Sequence, residues 1–306
     1  MALKVWRNKG WYFKYKDQNI FYIDEGEGEV LVLIHGFPTS SWDWHKLWPS
    51  LTRRFHVITL DMLGFGFSDK PLDYKYSIHD QADLFEKVLL DLGVADVHIV
   101  AHDYGDTVAQ ELLARYLERK SNQRARLKLR SLCLLNGGLF PETHQSLRIQ
   151  KLLIGPLGRF SSPFIGRSRL QKNFKAIFGK NTQPSESDID EFWEMLTHKE
   201  GKKVIHRLIG YIDERIKFRE RWLSALQKAD IPIRLIFGEA DPIAGKHMAE
   251  RFKDLVANPD VVLLDEIGHY PQLEAPELVL KHYFQFVNPG DETSTNMLSI
   301  TGKPNP

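Results

Sequence analysis

Nearly continuous runs of Val, Ile and Leu, separated by segments of helical pattern, constrain this chain most. EVLVLIHG (29–36), HVITLDM (56–62), VHIVAH (97–102), SLCLLNG (131–137), PIRLIFG (232–238) and VVLLDEIG (261–268) lack the apolar/polar alternation of a half-exposed strand. Runs of that kind are strands covered on both faces, hence a mostly parallel sheet. FKYK (13–16) and NIFYIDEG (19–26) add an opening hairpin. Helical patterns lie near 42–53, 77–92, 105–120, 246–257 and 275–287. The alternation predicts an α/β fold, an eight-stranded, mostly parallel sheet flanked by helices.

The pattern breaks over 139–228, which is rich in Phe, Arg, Lys and Ile and has no convincing strand. QPSESDIDEFWEML carries a helix start, a Ser ahead of acidic residues and an amphipathic run. The expected organisation is a first core part (1–138), a helical cap (139–228), a second core part (229–288) and a polar, mobile tail (289–306).

Of the 306 residues, 42% are apolar and 26% charged, and the net charge is +1, a balance that suggests neither a nucleic-acid partner nor an acidic tail. A basic run (Arg115, Arg119, Lys120, Arg124, Arg126, Lys128, Arg130) reads as a solvated helix end and loop. The one cysteine, Cys133, lies in an apolar run without an activating neighbour and cannot form an intrachain disulfide. The N-terminus lacks a signal-peptide core and no stretch is long enough to span a membrane, so a soluble, cytoplasmic protein is expected.

Ligands of open α/β sheets bind beyond the carboxyl ends of the strands. At those ends stand His35-Gly36-Phe37-Pro38, Asp103-Tyr104-Gly105, Asp241-Pro242 and His269. The chain order Asp103…Asp241…His269 follows the nucleophile, acid, base order of hydrolases built on such a sheet. His269 could deprotonate water, Asp241 could orient the imidazole, and the backbone N–H groups of Phe37 and Tyr104 could form an oxyanion hole. A Zn site would need a closely grouped His/Cys set, which is not visible, and no cofactor is implied.

HGFPTSS, LGFGFSDKP, HDYG, GEADPIA and GHYPQLE resemble the motif series of capped α/β hydrolases with an aspartate nucleophile, the epoxide hydrolases and haloalkane dehalogenases. HDYGDTVAQELL, LNGGLFPETH, PSES and FRERW extend the likeness toward the branch of the mesoderm-specific transcript protein and its bacterial relatives. The resemblance implies an α/β-hydrolase fold with a helical cap. It makes Asp103 the nucleophile, Asp241 the triad acid and His269 the base. A carboxylate that attacks saturated carbon forms an alkyl-enzyme ester, which water activated by His269 then hydrolyses. On an ordinary ester it would give a mixed anhydride, a poor intermediate, so esterase activity is not expected.

Halide leaves as a weak base stabilised by N–H donors, whereas an epoxide oxygen needs an acid. The resemblance implies a Trp after the nucleophile for halide release; Tyr104 stands there, and Trp193 or Trp222 of the cap would have to serve instead. For an epoxide it implies two cap tyrosines. One is present, Tyr211, and the early cap offers His144 in place of the other. Tyr211 could equally be a packed tyrosine or act alone or with water, and His144 a loop residue. Asp106 reads as a structural acid near a helix N-terminus, His102 as packing beneath the turn and His35 as shaping the oxyanion loop. An apolar substrate pocket is expected from Phe37, Tyr104, Phe140 and Trp193, with Trp44, Phe164 and Phe178 nearby. The expected function is epoxide plus water to a vicinal diol, with an apolar epoxide and water as partners and the choice between monomer and dimer open. The alternatives are a haloalkane or haloacid dehalogenase and a non-catalytic binding protein on the same fold.

Overall fold

The structure is a computed structural model and describes residues 1–122, 127–145, 150, 153–155 and 158–289. One sheet holds β1 (Trp11–Tyr15), β2 (Gln18–Glu25), β3 (Val30–Ile34), β4 (His56–Leu60), β5 (Asp96–His102), β6 (Lys128–Leu135), β7 (Ile233–Gly238) and β8 (Asp260–Leu264), in the order β1-β2-β4-β3-β5-β6-β7-β8. β2 is antiparallel to β1 and β4, and every other pair is parallel. Five of the six Val/Ile/Leu runs are the inner strands β3 to β7, in which Leu31, Val32, Leu33, Val57, Ile58, Val97, Ile99 and Leu132 are fully enclosed, as both-face coverage requires; the sixth, β8, is at the sheet edge and mostly half-buried. Leu33 pairs with Thr59 on one side and Val100 on the other, which brings the carboxyl ends of β3 and β5 together.

The helices, in chain order, are α1 (Leu3–Lys9), α2 (Ile78–Asp91), α3 (Tyr104–Ser121), α4 (Arg167–Ile177), α5 (Glu186–Thr197), α6 (Tyr211–Lys217), α7 (Arg219–Gln227), α8 (Lys246–Leu255) and α9 (Pro276–Val287), with shorter turns between them. α4 to α7 lie between β6 and β7. α5 starts at a capping box in which the Ser185 hydroxyl accepts from Asp188 N–H and the Asp188 carboxylate accepts from Ser185 N–H. The helix expected near 42–53 is instead a 3₁₀ turn, Ser41–Trp44, and one helical turn, Trp48–Leu51. Pro49, which lacks an N–H, sits in the first turn of the second piece, where none is needed.

α7 is tied to α3 through Glu111. This buried carboxylate accepts from Trp222 Nε1 (2.9 Å), Arg221 Nε (2.8 Å) and Arg115 Nε (2.8 Å). Burial opposes its charge, but these donors prevail and bring its pKa down to about 2. The basic run is mostly paired with carboxylates: Arg115 with Asp83, Glu86 and Glu111, Arg119 with Glu86, Lys120 with Asp230, and Arg130 with Glu29. Arg124, Arg126 and the tail beyond residue 289 lie outside the described residues. Among the described residues no helix is long and apolar enough to cross a membrane.

Candidate active site

β5 ends at His102 and α3 begins at Tyr104, so Asp103 occupies the turn between them, at φ 48° and ψ −105°. A side chain rarely adopts this backbone, at a cost of about 1–3 kcal/mol, and the fit around it explains why it is held. A Cβ on Gly105 would lie 2.3 Å from the Ile34 carbonyl oxygen and 2.7 Å from that of His35, so only glycine lets α3 start against the end of β3. A Cβ on Gly36 would lie 2.6 Å from His102 Nδ1. The turn thus lifts one carboxylate toward the loop after β3, where Phe37 N–H donates to Asp103 Oδ1 at 3.0 Å.

His269 follows β8. Its Nδ1–H donates to Asp241 Oδ2 at 2.7 Å, and its Nε2 lies 3.7 Å from Asp103 Oδ2. Asp241 also accepts from Asn136 Nδ2 (3.0 Å), Ile243 N–H (2.8 Å) and Ala244 N–H (3.1 Å). Asp103, Asp241 and His269 are all buried. Burial disfavours charge on His269, yet Asp241 and then Asp103 prevail and raise its pKa to about 9. For Asp241, burial is likewise overcome by His269 and the converging donors, and the carboxyl is held below its ordinary value.

Residues 29–276 match the family described as alpha/beta hydrolase fold. The chain belongs to this family. The mesoderm-specific transcript protein of Mus musculus is 45% identical over 300 residues, covering 94% of this chain and 88% of that protein. Two solved structures share the fold at 20% identity. One is the epoxide hydrolase CorEH, with a TM-score of 0.75 over 92% of this chain and 98% of that one. The other is a loop variant of the haloalkane dehalogenase DbeA from Bradyrhizobium elkanii, with a TM-score of 0.77 over 94% and 99%.

In this alpha/beta hydrolase the helices inserted between β6 and β7 reach the carboxylate through α6. The Tyr211 hydroxyl is 3.5 Å from Asp103 Oδ1, at the limit of a hydrogen bond, and its ring packs against Tyr104 (4.7 Å between centroids) and Phe37 (5.9 Å). Burial, then the Asp103 charge, raises the phenol well above its usual value, so it stays protonated. Of the two expected oxyanion donors, Phe37 makes its bond; Tyr104 N–H makes none to the carboxylate.

Several expected placements change. His144 is inside the site, with neither ring nitrogen hydrogen-bonded, but burial and Arg215 bring its pKa down to about 4. It is therefore neutral near pH 7, so of the two forms expected to donate, the suitably tautomeric imidazole fits this site and the imidazolium does not. Asp106 is a structural acid in the first turn of α3, as expected, but it is fully buried, and burial and then Asp103 push its carboxyl well above the ordinary value, toward the protonated form. His102 does lie beneath the turn, its Nε2–H donating to the His269 carbonyl at 2.8 Å. The His35 ring bridges Gly36 O and Met62 N–H.

A cavity beside Asp103 is lined by Asp103, His269, Phe37 and, from the segment between β6 and β7, Leu170, Phe174 and Ile205, among others. Tyr104, Phe140 and Trp193 do not line it. The Tyr104 ring is packed between Phe65 and Tyr211, Phe140 is enclosed in the core, and Trp193 faces Lys202 at the cap surface. Trp44 and Phe178 are buried away from it, and Phe164 is 87% exposed. The Trp222 indole is spent on Glu111.

Two residues escaped the sequence reading. Asn136, at φ 44° after β6, clamps Gly238 and Asp241. Arg215 donates through Nη2 to the Asp103 carbonyl oxygen at 2.9 Å. The signal for Arg215 was its spacing, four positions after Tyr211 and so on the same helical face.

Proposed function

We propose that the protein is an epoxide hydrolase. The observation that carries this reading is the single carboxylate at the turn with a base on one oxygen and a phenol on the other: His269 Nε2 at 3.7 Å from Oδ2 and Tyr211 Oη at 3.5 Å from Oδ1. A serine in that position would suit acyl transfer; a carboxylate suits displacement at carbon. The apolar cavity wall favours an apolar epoxide. Among the described residues neither an indole nor Tyr211 lines the cavity wall, so the preference for an epoxide over a halide rests on the phenol beside Asp103.

In the resting site Asp103 is ionised and His269 is an imidazolium. Asp103 attacks an epoxide carbon, the C–O bond breaks, and the alkoxide takes the Tyr211 proton. Alkylation neutralises Asp103, so His269 loses a counter-charge and its proton passes to the Tyr211 oxyanion. The neutral His269 then takes a proton from water as the oxygen adds to Cγ of Asp103. Phe37 N–H stabilises the oxyanion at Oδ1. Collapse expels the diol oxygen, which takes the remaining water proton, and restores the carboxylate.

Diol formation from styrene oxide and from cyclic and aliphatic epoxides tests the reading, beside halide release from alkyl halides. Asp103→Ala should form no diol, and His269→Gln should retain the ester as an added mass on the intact protein. Undiminished turnover by Asp103→Ala, or halide release without diol formation by the native protein, would sink it.

A further inference from the structure

Arg215 is 2% exposed, and a buried guanidinium is costly unless it is paired and hydrogen-bonded. A Met or Leu would fill the contact between α6 and α3 without that cost. The partners of Arg215 show what the cation does there. Its Nε donates to Thr107 Oγ1 at 2.8 Å, its Nη2 donates to the Asp103 carbonyl oxygen at 2.9 Å, and the same Nη2 lies 4.0 Å from Asp103 Oδ2. Its Cζ sits 4.5 Å from the centre of the Tyr211 ring, a cation–π distance. One side chain of the cap therefore touches the backbone of the turn, the first turn of α3, the carboxylate and the phenol ring.

The other ionisable groups around Asp103 cannot replace this charge. His102 on its own strand, His35 after β3 and His144 after β6 are kept neutral by burial. Asp43 after β3 and Asp106 on α3 are pushed by burial toward their protonated forms, and Tyr104, Tyr211 and Tyr270 stay phenols. That leaves Asp103 and Asp241 against His269 and Arg215, and His269 is hydrogen-bonded to Asp241 rather than to Asp103.

We propose that Arg215 is a positioning residue: it supplies the counter-charge of Asp103 and registers the Tyr211 ring against the turn that carries the nucleophile. This rests on the reading of Asp103 as nucleophile. Alkylation would then leave the site with one excess positive charge, favourable to the leaving oxygen's developing negative charge.

The test uses His269→Gln, in which the ester accumulates and His269 no longer contributes to the acid limb of alkylation. Adduct formation with styrene oxide is followed by intact mass against time and pH. Adding Arg215→Met should slow alkylation about 100-fold, the scale of losing one electrostatic donor, and move the acid limb upward by about one pH unit or more. Arg215→Lys should bring the limb back while recovering only part of the rate, because an ammonium lacks the fork to Thr107 and the Asp103 carbonyl. Gly138→Ala is a second route, since its Cβ would lie 2.3 Å from Arg215 Nη1 and displace the guanidinium without removing it; it should also slow alkylation. No adduct in His269→Gln itself would overturn the functional reading. An adduct that forms there, with rate or limb unchanged by Arg215→Met, would overturn the role of Arg215 alone. Should Arg215→Met fail to fold, an unchanged rate in both Arg215→Lys and Gly138→Ala would overturn it.

Discussion

Asp103→Asn replaces the carboxylate by a neutral group of the same shape, close in charge to the ester that the proposed reaction forms. His269 Nε2 is 3.7 Å from Asp103 Oδ2. Two unit charges at that separation, in an effective dielectric of about 20, interact by about 4 kcal/mol, equivalent to about 3 pH units as an upper bound. His269 titrates at about 9 with both carboxylates present. The substitution leaves Asp241 hydrogen-bonded to Nδ1, so His269 should fall by about 1–3 units and remain supported from one side. The sign matters for catalysis. Below its pKa His269 is protonated and cannot accept a proton from water, so a lowered value makes it a base at neutral pH once the nucleophile has been consumed. Imidazole NMR titration of the native protein and of Asp103→Asn measures this directly, with His269→Gln to assign the resonance and intact mass to verify that the amide persists. A His269 pKa that moves by less than about half a unit would refute the claim that alkylation releases the base.

Tyr211→Phe should slow epoxide opening about 100-fold, as expected for loss of a general acid. Once the ester has formed, its hydrolysis should proceed at nearly the native rate in single-turnover experiments; an equal loss in both steps would remove Tyr211 from the proton-donor role. Gly105→Ala should destabilise the protein by more than about 2 kcal/mol, because its Cβ would lie 2.3 Å from the Ile34 carbonyl oxygen on a central strand. Calorimetry should show the unfolding midpoint lowered by about 3 °C or more, and an unchanged midpoint would mean that the turn has more slack than the structure gives it.

The inner strands were legible because they are enclosed on both faces, and enclosure writes itself into sequence as unbroken Val, Ile and Leu. The turn was legible for a related reason: a small residue, an exposed polar one and a glycine between strand and helix have few alternatives. The segment around 42–53 was not, since Pro49 both permits a helical start and forbids a continuous helix, and periodicity does not weigh the two. The pocket was read least well. Phe140, Trp193 and Phe164 are apolar alike, but whether an aromatic ring meets the core, a lysine or solvent depends on how the cap is seated, and composition is silent on that. Leu170, Phe174 and Ile205, which do line the cavity, carry ordinary helix patterns.

Charge was the other unreadable quantity, and the histidines show why. His35, His102, His144 and His269 all lie in or beneath the site, and burial pushes every one of them toward the neutral form. What separates them is the partner. His35 lies between a backbone carbonyl and a backbone N–H, His102 donates to a carbonyl, and His144 hydrogen-bonds to nothing. His269 alone among these four is hydrogen-bonded to a carboxylate, and its other nitrogen faces a second. A hydrogen-bonded, ionised carboxylate can offset desolvation, whereas a carbonyl does not, nor does Asp43, which lies 3.9 Å from His102 Nδ1 but is itself pushed by burial toward its neutral form. The same balance separates the acids: Asp103 and Asp106 are three positions apart on one turn, yet Arg215 and His269 overcome burial at Asp103 and hold it below the ordinary carboxylate value, while at Asp106 burial and the Asp103 charge outweigh Arg215 and push it well above. Catalytic assignment in this site therefore depends on which buried group has a charged neighbour, and for Asp103 that neighbour includes a cap arginine whose removal should be felt at the nucleophile before it is felt anywhere else.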